Sequence, residues 1–293
     1  MSSLLDLVGN TPLVEIKKII NKPKVTVYGK LEGHNPGGSV KDRAAYEMIK
    51  GAMDRGELKK GGKLVEATSG NTGIALAMIA AKFGINITLI MPENATQERI
   101  QTMKAYGADV ILTPAEKTIE YSREYAEYLV EKEGYLMLNQ FANPDNWGAH
   151  YKTTGPEIWR DTNQKVTHFV SSMGTTGTIM GTSRFLKEQN PEIQIVGVQP
   201  TDGSRIPGIR RWSPGFLPKI YDPNRVDWTI DVSTADAQSM MKRLAQEEGI
   251  FAGMSSGGAV TAASRLAETI DTGVIVCIIC DRGDRYLSSG VFG

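Results

Sequence analysis

Cysteine and histidine are scarce in this sequence, and neither sign of charge is in excess. The 293 residues include two Cys and three His, and 33 Lys and Arg balance 33 Asp and Glu. Two Cys cannot build a disulfide framework. A net charge of zero argues against nucleic acid and against an anionic membrane surface as partners.

Long apolar runs are missing as well. The longest cover residues 74–81 and 274–280, which is far too short to cross a bilayer. The first residues carry no basic stretch and reach Asp6 too early for a signal peptide. Because 41% of the residues are hydrophobic, the chain can still bury a sizeable core. We expect a soluble, cytoplasmic, globular protein of one large domain or two moderate ones.

Short apolar strands alternate with helices through most of the chain. Strands are expected at 24–31, 63–67, 86–91, 109–112, 135–138, 166–170, 193–198, 228–232 and 274–279, and helices at 41–55, 74–83, 96–106, 115–133, 179–188, 235–248 and 256–269. This alternation predicts an α/β fold of open, twisted, mainly parallel sheets with helices on both faces and right-handed crossovers. A soft boundary at residues 143–146 indicates two α/β units with a cleft between them.

One segment breaks the alternation. Residues 202–225 hold four Pro and three Gly, with Arg210 and Arg211 directly before Trp212. A long irregular segment in a compact fold is usually either functional or disordered. The Trp and the clustered Arg favour function.

The most informative motif is a turn that becomes a helix, residues 35–43 with the sequence NPGGSVKDR. Pro and Gly suit the turn, Ser39 is the expected N-cap, and Lys41 falls in the first helical turn. A helix N-terminus disfavours an ammonium group. Lys41 therefore either points into water or is a lysine held toward its neutral form, which can attack a carbonyl and form a Schiff base.

Three further loops lie where parallel sheets bind ligands, between the end of a strand and the start of a helix. They are residues 68–73 (TSGNTG), 174–178 (GTTGT) and 253–258 (GMSSGG). In the loop at 174–178, Gly residues let backbone N–H groups converge, and the hydroxyls and the helix end add donors and positive potential. This arrangement favours phosphate binding, and the alternative is an ordinary flexible connection.

Two common nucleotide-binding motifs are absent from the sequence. It contains no GxxxxGK[ST], and no GxGxxG follows a strand with an acidic residue at the expected distance. The candidate phosphate-binding loop at 174–178, the phosphate cradle, combined with a candidate Schiff-base lysine indicates instead a phosphorylated aldehyde cofactor, pyridoxal 5'-phosphate.

These four segments, in this order, resemble the motifs of the fold-type II pyridoxal-phosphate enzymes. The match is with the cysteine synthase (O-acetylserine sulfhydrylase) branch of the cysteine synthase/cystathionine β-synthase family, and it covers essentially the whole chain. The runs PGIRRW at 207–212 and CDRGDRY at 280–286 look like the B type of that family, and the loop GTTGT lacks a Gly that the A type has.

The resemblance implies an architecture and a reaction. The active site would lie in the cleft between a large cofactor-binding domain, residues 1–34 and 146–293, and a smaller mobile domain, residues 35–145, in a homodimer. The family reaction is a β-replacement, in which O-acetyl-L-serine loses acetate and gains sulfur. Sulfide would give L-cysteine, and thiosulfate would give S-sulfo-L-cysteine.

The resemblance also implies residue roles. Lys41 would carry the cofactor and then remove the substrate Cα proton, Asn71 would bond the ring hydroxyl, and Ser255 would face the pyridine nitrogen. The phosphate would be held by Gly174, Thr175, Thr176, Gly177 and Thr178. The substrates would be bound by Thr68, Ser69, Gly70, Thr72, Gln140, Arg210, Arg211, Trp212 and Cys280.

Three other functions remain open. A serine/threonine dehydratase or a cystathionine β-synthase would keep the cofactor and change the reaction. Capture of the elimination product by an external sulfur nucleophile, rather than its loss as pyruvate, separates a cysteine synthase from a dehydratase. A catalytically silent cofactor-binding regulator is the third, and the intact Lys41 and the complete set of loops argue against it.

The remaining patterns are expected to be structural. Cys277 and Cys280 spell CxxC, but residues three apart in a strand point to opposite faces and cannot share a metal or form a disulfide. Asp281 and Asp284 stand beside two arginines, which indicates a salt-bridged loop. The three His show no ligand spacing.

Overall fold

The computed structural model describes residues 3–292, apart from the side chains of Thr118 and Pro214. Its strands are β1 (Leu13–Glu15), β2 (Val25–Leu31), β3 (Lys63–Ala67), β4 (Asn86–Pro92), β5 (Asp109–Thr113), β6 (His168–Ser172), β7 (Gln194–Pro200), β8 (Trp228–Val232) and β9 (Gly273–Ile279). They form a six-stranded sheet of order β1-β2-β9-β6-β7-β8 and a three-stranded sheet of order β3-β4-β5. Every pairing in these sheets is parallel except that of β1 with β2.

Helices connect most of the parallel strands. They are α1 (Lys41–Asp54), α2 (Asn71–Phe83), α3 (Gln97–Ala105), α4 (Thr118–Glu133), α5 (Pro144–Ala149), α6 (Gly155–Asp161), α7 (Gly177–Gln189), α8 (Thr234–Glu248) and α9 (Met254–Thr269), with a π-helical turn, His150–Thr154, between α5 and α6. Within residues 3–292, no helix has the combination of length and apolar character that crossing a membrane requires.

The central strand β9 shows why the larger sheet is covered on both faces. Cys277 packs in a cluster with α8 and α9, whereas Val276 and Cys280 pack in a second cluster with Phe169 on the other face. Strands that are buried on both faces read as continuous apolar runs, as β9 does. The two Cys therefore point to opposite faces, as predicted.

The smaller sheet has a core of its own. Its main component is α2, an Ala-rich helix whose residues 72–80 are all buried, and which ends at Gly84 with a φ of 67°. Gly is the residue that adopts this left-handed conformation most readily. The two sheets lie in the two parts of the sequence assigned to separate domains, but the domain boundaries and the mobility of the smaller domain stay predictions.

The α/β class and most elements are confirmed, and two predictions are wrong. Residues 135–138 form no strand, because only Leu136 among them pairs with β3, in a single bridge to Leu64. The sequence assigned no helix to residues 144–161, where α5, the π-helical turn and α6 follow one another. The irregular character of residues 202–225 is confirmed, since the only regular structure described there is two short 3-10 turns, Pro214–Phe216 and Pro223–Arg225.

Candidate active site

Lys41 is the first residue of α1. The turn before it is fixed by side chains, since Ser39 Oγ accepts a hydrogen bond from the Lys41 N–H at 3.2 Å and Asp42 accepts one from the Gly37 N–H. The expected N-cap is displaced by one residue, because Val40 and not Ser39 is the N-cap of α1. The Asp42 carboxylate packs against Gly37, where a Cβ would lie 2.7 Å from Asp42 Oδ1, so only Gly leaves room for this contact.

The Lys41 amine lies in an environment that favours its neutral form. It has no hydrogen-bond or ion-pair partner among residues 3–292. Burial lowers the pKa of Lys41, while Cys280 and Asp281 act in the opposite direction. A lysine that is desolvated and not held by an acceptor can lose its proton and attack a carbonyl. Of the two readings of Lys41, this environment favours the reactive amine.

The phosphate cradle, residues 174–178, connects β6 to α7 and is closely packed against neighbouring segments. A Cβ on Gly174 would lie 2.6 Å from the carbonyl oxygen of Gly208, and one on Gly177 would lie 2.0 Å from Asn146 Oδ1. Thr176 has a φ of 71°, which a β-branched residue rarely adopts, and its buried hydroxyl has no partner among the described residues. A concave loop with an unpaired hydroxyl at a helix N-terminus fits the phosphate of pyridoxal phosphate.

The Thr178 side chain contacts His150, a residue for which the sequence suggested no role. His150 Nε2 is 3.3 Å from Thr178 Oγ1, and Nδ1 is 2.8 Å from Thr154 Oγ1. Burial, followed by the nearby charge of Arg43, lowers the pKa of His150 to about 3, so the ring is neutral. The tautomer with its proton on Nε2 donates to Thr178, which leaves the Thr178 hydroxyl proton available to an anion. No sequence spacing signals this contact.

Of the predicted loop at 68–73, only residues 68–70 connect β3 to α2, because α2 begins at Asn71 rather than at residue 74. The backbone N–H groups of this helix start can therefore receive a carboxylate. The Thr72 hydroxyl donates to Gln140 Oε1 at 2.9 Å, and Asn146 donates to the Gln140 carbonyl oxygen at 2.7 Å. Gln140 thus lies beside the loop and links it to the region of the cradle.

Ser255 and Cys280 meet close to Lys41. Ser255 lies in the first turn of α9, is buried, and accepts a hydrogen bond from the Ser172 hydroxyl on its carbonyl oxygen at 2.9 Å. The thiol of Cys280 donates to the Ile278 carbonyl oxygen at 3.7 Å. Burial raises the pKa of this thiol to about 11, and the nearby Ser255 side chain acts in the opposite direction. The Cys280 thiol is therefore neutral, and it lies close enough to Lys41 to affect the pKa of that amine.

Arg210 and Trp212 surround one aromatic ring. The Trp212 ring meets Phe141 edge-on with the centroids 5.6 Å apart, and its Nε1 donates to the Gly174 carbonyl oxygen at 2.9 Å. The Arg210 guanidinium is 5.7 Å from the centroid of Phe141 and 5.4 Å from that of Trp212. Burial, followed by the charge of Arg123, lowers the pKa of Arg210. The segment 210–212 is thereby tied to the cradle.

Arg211 points away from its two neighbours. Its Nε donates to the Pro200 carbonyl oxygen at 2.8 Å, and its guanidinium forms an ion pair with Asp231 at the end of the sheet. These contacts anchor the loop to β7 and β8. Of the two arginines, Arg210 is the one next to the rings and the cradle.

Asn71 is bonded to the segment that follows β9. Its Nδ2 donates to Asp281 Oδ2 at 2.7 Å, and its Oδ1 accepts from Arg285. The expected salt-bridged loop is only half correct: Arg282 pairs with Asp284 at 2.6 Å, but Asp281 and Arg285 turn inward. The alternating signs of charge at 281–285 could not show which of these side chains face the cleft.

Comparison with known proteins agrees with this geometry. The family model described as pyridoxal-phosphate dependent enzyme matches residues 4–281. Cysteine synthase B of Pseudomonas aeruginosa is 57% identical over 99% of this chain and 97% of its own length, and cysteine synthase B of Escherichia coli is 55% identical over 100% and 97%. The crystal structure of cysteine synthase from Entamoeba histolytica superimposes with a TM-score of 0.94 at 37% identity, covering 100% of this chain and 90% of that one.

The chain belongs to the family of pyridoxal-phosphate-dependent enzymes, and it has their fold-type II architecture. Within that family it falls among the cysteine synthases, and over 99–100% of its length it is 55–57% identical to cysteine synthases of the B type. It is therefore a pyridoxal-phosphate-dependent transferase.

Proposed function

We propose that this protein forms L-cysteine from O-acetyl-L-serine and sulfide, and that thiosulfate is a second sulfur donor that yields S-sulfo-L-cysteine. One observation carries the proposal. The Lys41 amine has no partner among residues 3–292, and its charge contributes to lowering the pKa of His150, which contacts Thr178 of the cradle. A candidate covalent amine and a candidate phosphate site are thus parts of one cluster.

The chain's own residues would hold the cofactor and move one proton. Lys41 would bind it covalently, residues 174–178 its phosphate, Asn71 its ring hydroxyl and Ser255 its pyridine nitrogen. Bound pyridoxal phosphate supplies an electron sink for the carbanion at the substrate Cα. The neutral Lys41 Nζ, once free, would take the Cα proton, because burial lowers its pKa into a more useful range. Ser255 is a neutral hydroxyl, so it would not hold the ring nitrogen protonated as a carboxylate would.

The substrate carboxylate would bind at the start of α2. Ser69, Gly70 and Thr72 would offer backbone N–H groups there. Thr68 would offer its hydroxyl, since the Thr68 N–H is already bonded to the Ile90 carbonyl oxygen. The helix dipole favours an anion at this end. Gln140 supports the Thr72 hydroxyl through their 2.9 Å hydrogen bond. The acetate leaving group and the incoming sulfur would then share the space bordered by Cys280 and Trp212.

A dianionic sulfur donor would use Arg210. Thiosulfate carries two negative charges on oxygens and sulfur, and a guanidinium offers paired donors to such a group. Arg210 lies over the rings of Phe141 and Trp212, and among the described residues it forms no ion pair, although the charge of Glu120 acts on it. Sulfide is small and would need no such contact.

We extend the proposal to a cytoplasmic homodimer. Both Cys are free and buried, which suits a reducing compartment. Large apolar side chains such as Leu7 and Phe216 are exposed and offer surface that a second copy can cover. Light scattering of the purified protein tests the dimer: a mass of one chain would refute it.

The reaction is tested by a product assay with O-acetylserine, first with each donor alone and then with both in competition. We expect L-cysteine from sulfide, S-sulfocysteine from thiosulfate and little pyruvate. Pyruvate as the main product in the presence of sulfide would instead support a dehydratase. Cystathionine formed with homocysteine at a rate above that of cysteine would support a cystathionine synthase.

A further inference from the structure

Asp281 is a buried acidic residue to which no role has been assigned so far. It is 1% exposed and directly follows Cys280. Its Oδ2 accepts two hydrogen bonds, one from Asn71 Nδ2 and one from the Tyr286 hydroxyl, both at 2.7 Å. Its backbone pairs with Ser39 in the turn before Lys41. Asp281 therefore touches both the Lys41 turn and the start of α2.

The groups around Asn71 dictate the orientation of its amide. A carboxylate can only accept hydrogen bonds and a guanidinium can only donate them. Asp281 on one side must therefore meet Nδ2, and Arg285 on the other side must meet Oδ1, as they do. Arg285 also donates to the Gly37 carbonyl oxygen, which ties the amide to the Lys41 turn. One N–H of Nδ2 remains for a ligand.

We propose that Asp281 is a positioning residue that holds Asn71 with this remaining N–H directed at the ring hydroxyl of pyridoxal phosphate. The inference rests on the proposed function, in which Asn71 makes that contact. Asp281 acts through Asn71 and does not itself touch the cofactor. Tyr286 acts one step further out, as the second donor that keeps the carboxylate in place.

The packing around Asp281 supports a fixed carboxylate. Its Oδ1 is buried without a hydrogen-bond partner among residues 3–292. A Cβ on Gly253 would lie 2.3 Å from this Oδ1 and 2.4 Å from the Tyr286 ring, so only Gly leaves room for both side chains. Burial, followed by the charge of Asp281, raises the pKa of Tyr286, which keeps its hydroxyl a donor. A buried oxygen without a partner is costly, so the fold holds this carboxylate in place at the expense of stability.

The test compares Asn71→Ala, Asp281→Ala and the double variant, with Asp284→Ala as the matched control because Asp284 pairs with the exposed Arg282. The readouts are the visible absorption band of the bound cofactor and its dissociation constant, both without substrate. We expect Asp281→Ala to displace the band and to weaken cofactor binding about three- to tenfold, as the loss of one hydrogen bond would. The double variant should bind the cofactor with the same dissociation constant as Asn71→Ala, because both changes remove the same contact.

Each outcome has one meaning. An Asp281→Ala protein with the wild-type band and affinity overturns the inference, as do additive losses in the double variant. If Asn71→Ala itself matches wild type, the proposed cofactor contact fails and the inference fails with it. If Asp281→Ala does not fold, Tyr286→Phe decides: a displaced band supports the inference, and an unchanged band overturns it.

Discussion

Arg210 and Arg211 are adjacent in the sequence, yet their side chains contact opposite parts of the molecule. Arg210 stacks on Phe141 and Trp212 near the cradle, and Arg211 is bonded to Pro200 and Asp231 at the edge of the larger sheet. The sequence placed both in a functional loop but could not distinguish them, since an irregular segment has no periodicity that fixes side-chain direction.

This difference makes Arg211→Ala the control for Arg210→Ala. We expect Arg210→Ala to lower kcat/KM with thiosulfate by about tenfold or more, the loss of a hydrogen bond to a charged group, and to affect sulfide much less. Arg211→Ala should lower both rates in parallel, because it loosens the loop. The quantity to measure is the ratio of the two efficiencies in each variant. A selective loss of thiosulfate turnover in Arg211→Ala would reverse the assignment.

At the scale of an element, the proposed phosphate site at the N-terminus of α7 can be tested with a matched pair of threonines. Thr178 stands in its first turn beside His150, and Thr182 stands one turn later, fully buried with no hydrogen-bond partner for its hydroxyl among the described residues. Replacing Thr by Val at each position therefore distinguishes the loss of a phosphate contact at Thr178 from a general effect of the substitution on α7.

We expect Thr178→Val to weaken pyridoxal-phosphate binding by about tenfold, because a hydroxyl donor to a charged phosphate is lost. Thr182→Val should leave the affinity unchanged. Titration of the cofactor-free protein, followed by absorbance, gives both dissociation constants. Equal affinities in the two variants would mean that the phosphate binds elsewhere.

Elements with a strong local signal were predicted correctly. Strand β8 has the predicted bounds, and α1, α7 and α9 agree to within about two residues at each end. Each combines apolar periodicity with a Gly, Pro or polar residue at its ends. The motif loops were located for the same reason, since they interrupt these patterns.

Helices α5 and α6 escaped prediction because their stability comes from distant contacts. The sequence of residues 144–161, with the π-helical turn included, mixes Gly, Pro and Thr, which disfavour helix. The Arg184 guanidinium of α7 lies 4.4 Å from the Trp147 ring centroid, and Tyr151 meets Phe185 edge-on at 6.1 Å. Packing against α7 outweighs the local preference, and with it His150 enters the site, which local patterns could not reveal.

At the scale of the whole molecule, a buried ion cluster joins the start of α1 to the larger sheet. Arg43 pairs with Glu32 and with Glu157 of α6, each at 2.7 Å, and Lys30 of β2 pairs with Glu157 at 2.8 Å. Burial raises the pKa of Glu157, but hydrogen bonds and charge from Arg43, and then from Lys30, outweigh this effect and lower it to about 2. Since Lys41 lies two residues before Arg43, this cluster also anchors the start of α1 at which Lys41 lies.

The cluster predicts how stability depends on pH. Unfolded Glu157 would bind its proton near the ordinary value of 4.5, whereas the folded group binds it only near 2. Its stabilising effect is therefore complete above 4.5 and is lost as the pH falls toward 2. Glu157→Gln should lower the free energy of unfolding at pH 7 and flatten its decline in this window. Urea unfolding at a series of pH values measures both, with the exposed Glu133→Gln as control. A wild-type slope in Glu157→Gln would contradict the account.

The central claim is that Lys41 is the residue that binds pyridoxal phosphate. Reduction of the enzyme–cofactor complex with borohydride makes this bond permanent, and mass spectrometry of the digested protein then identifies the lysine that carries it. The account predicts the label on the peptide that contains Lys41, and no stable label in Lys41→Ala. A label on any other lysine of the wild-type protein would contradict it.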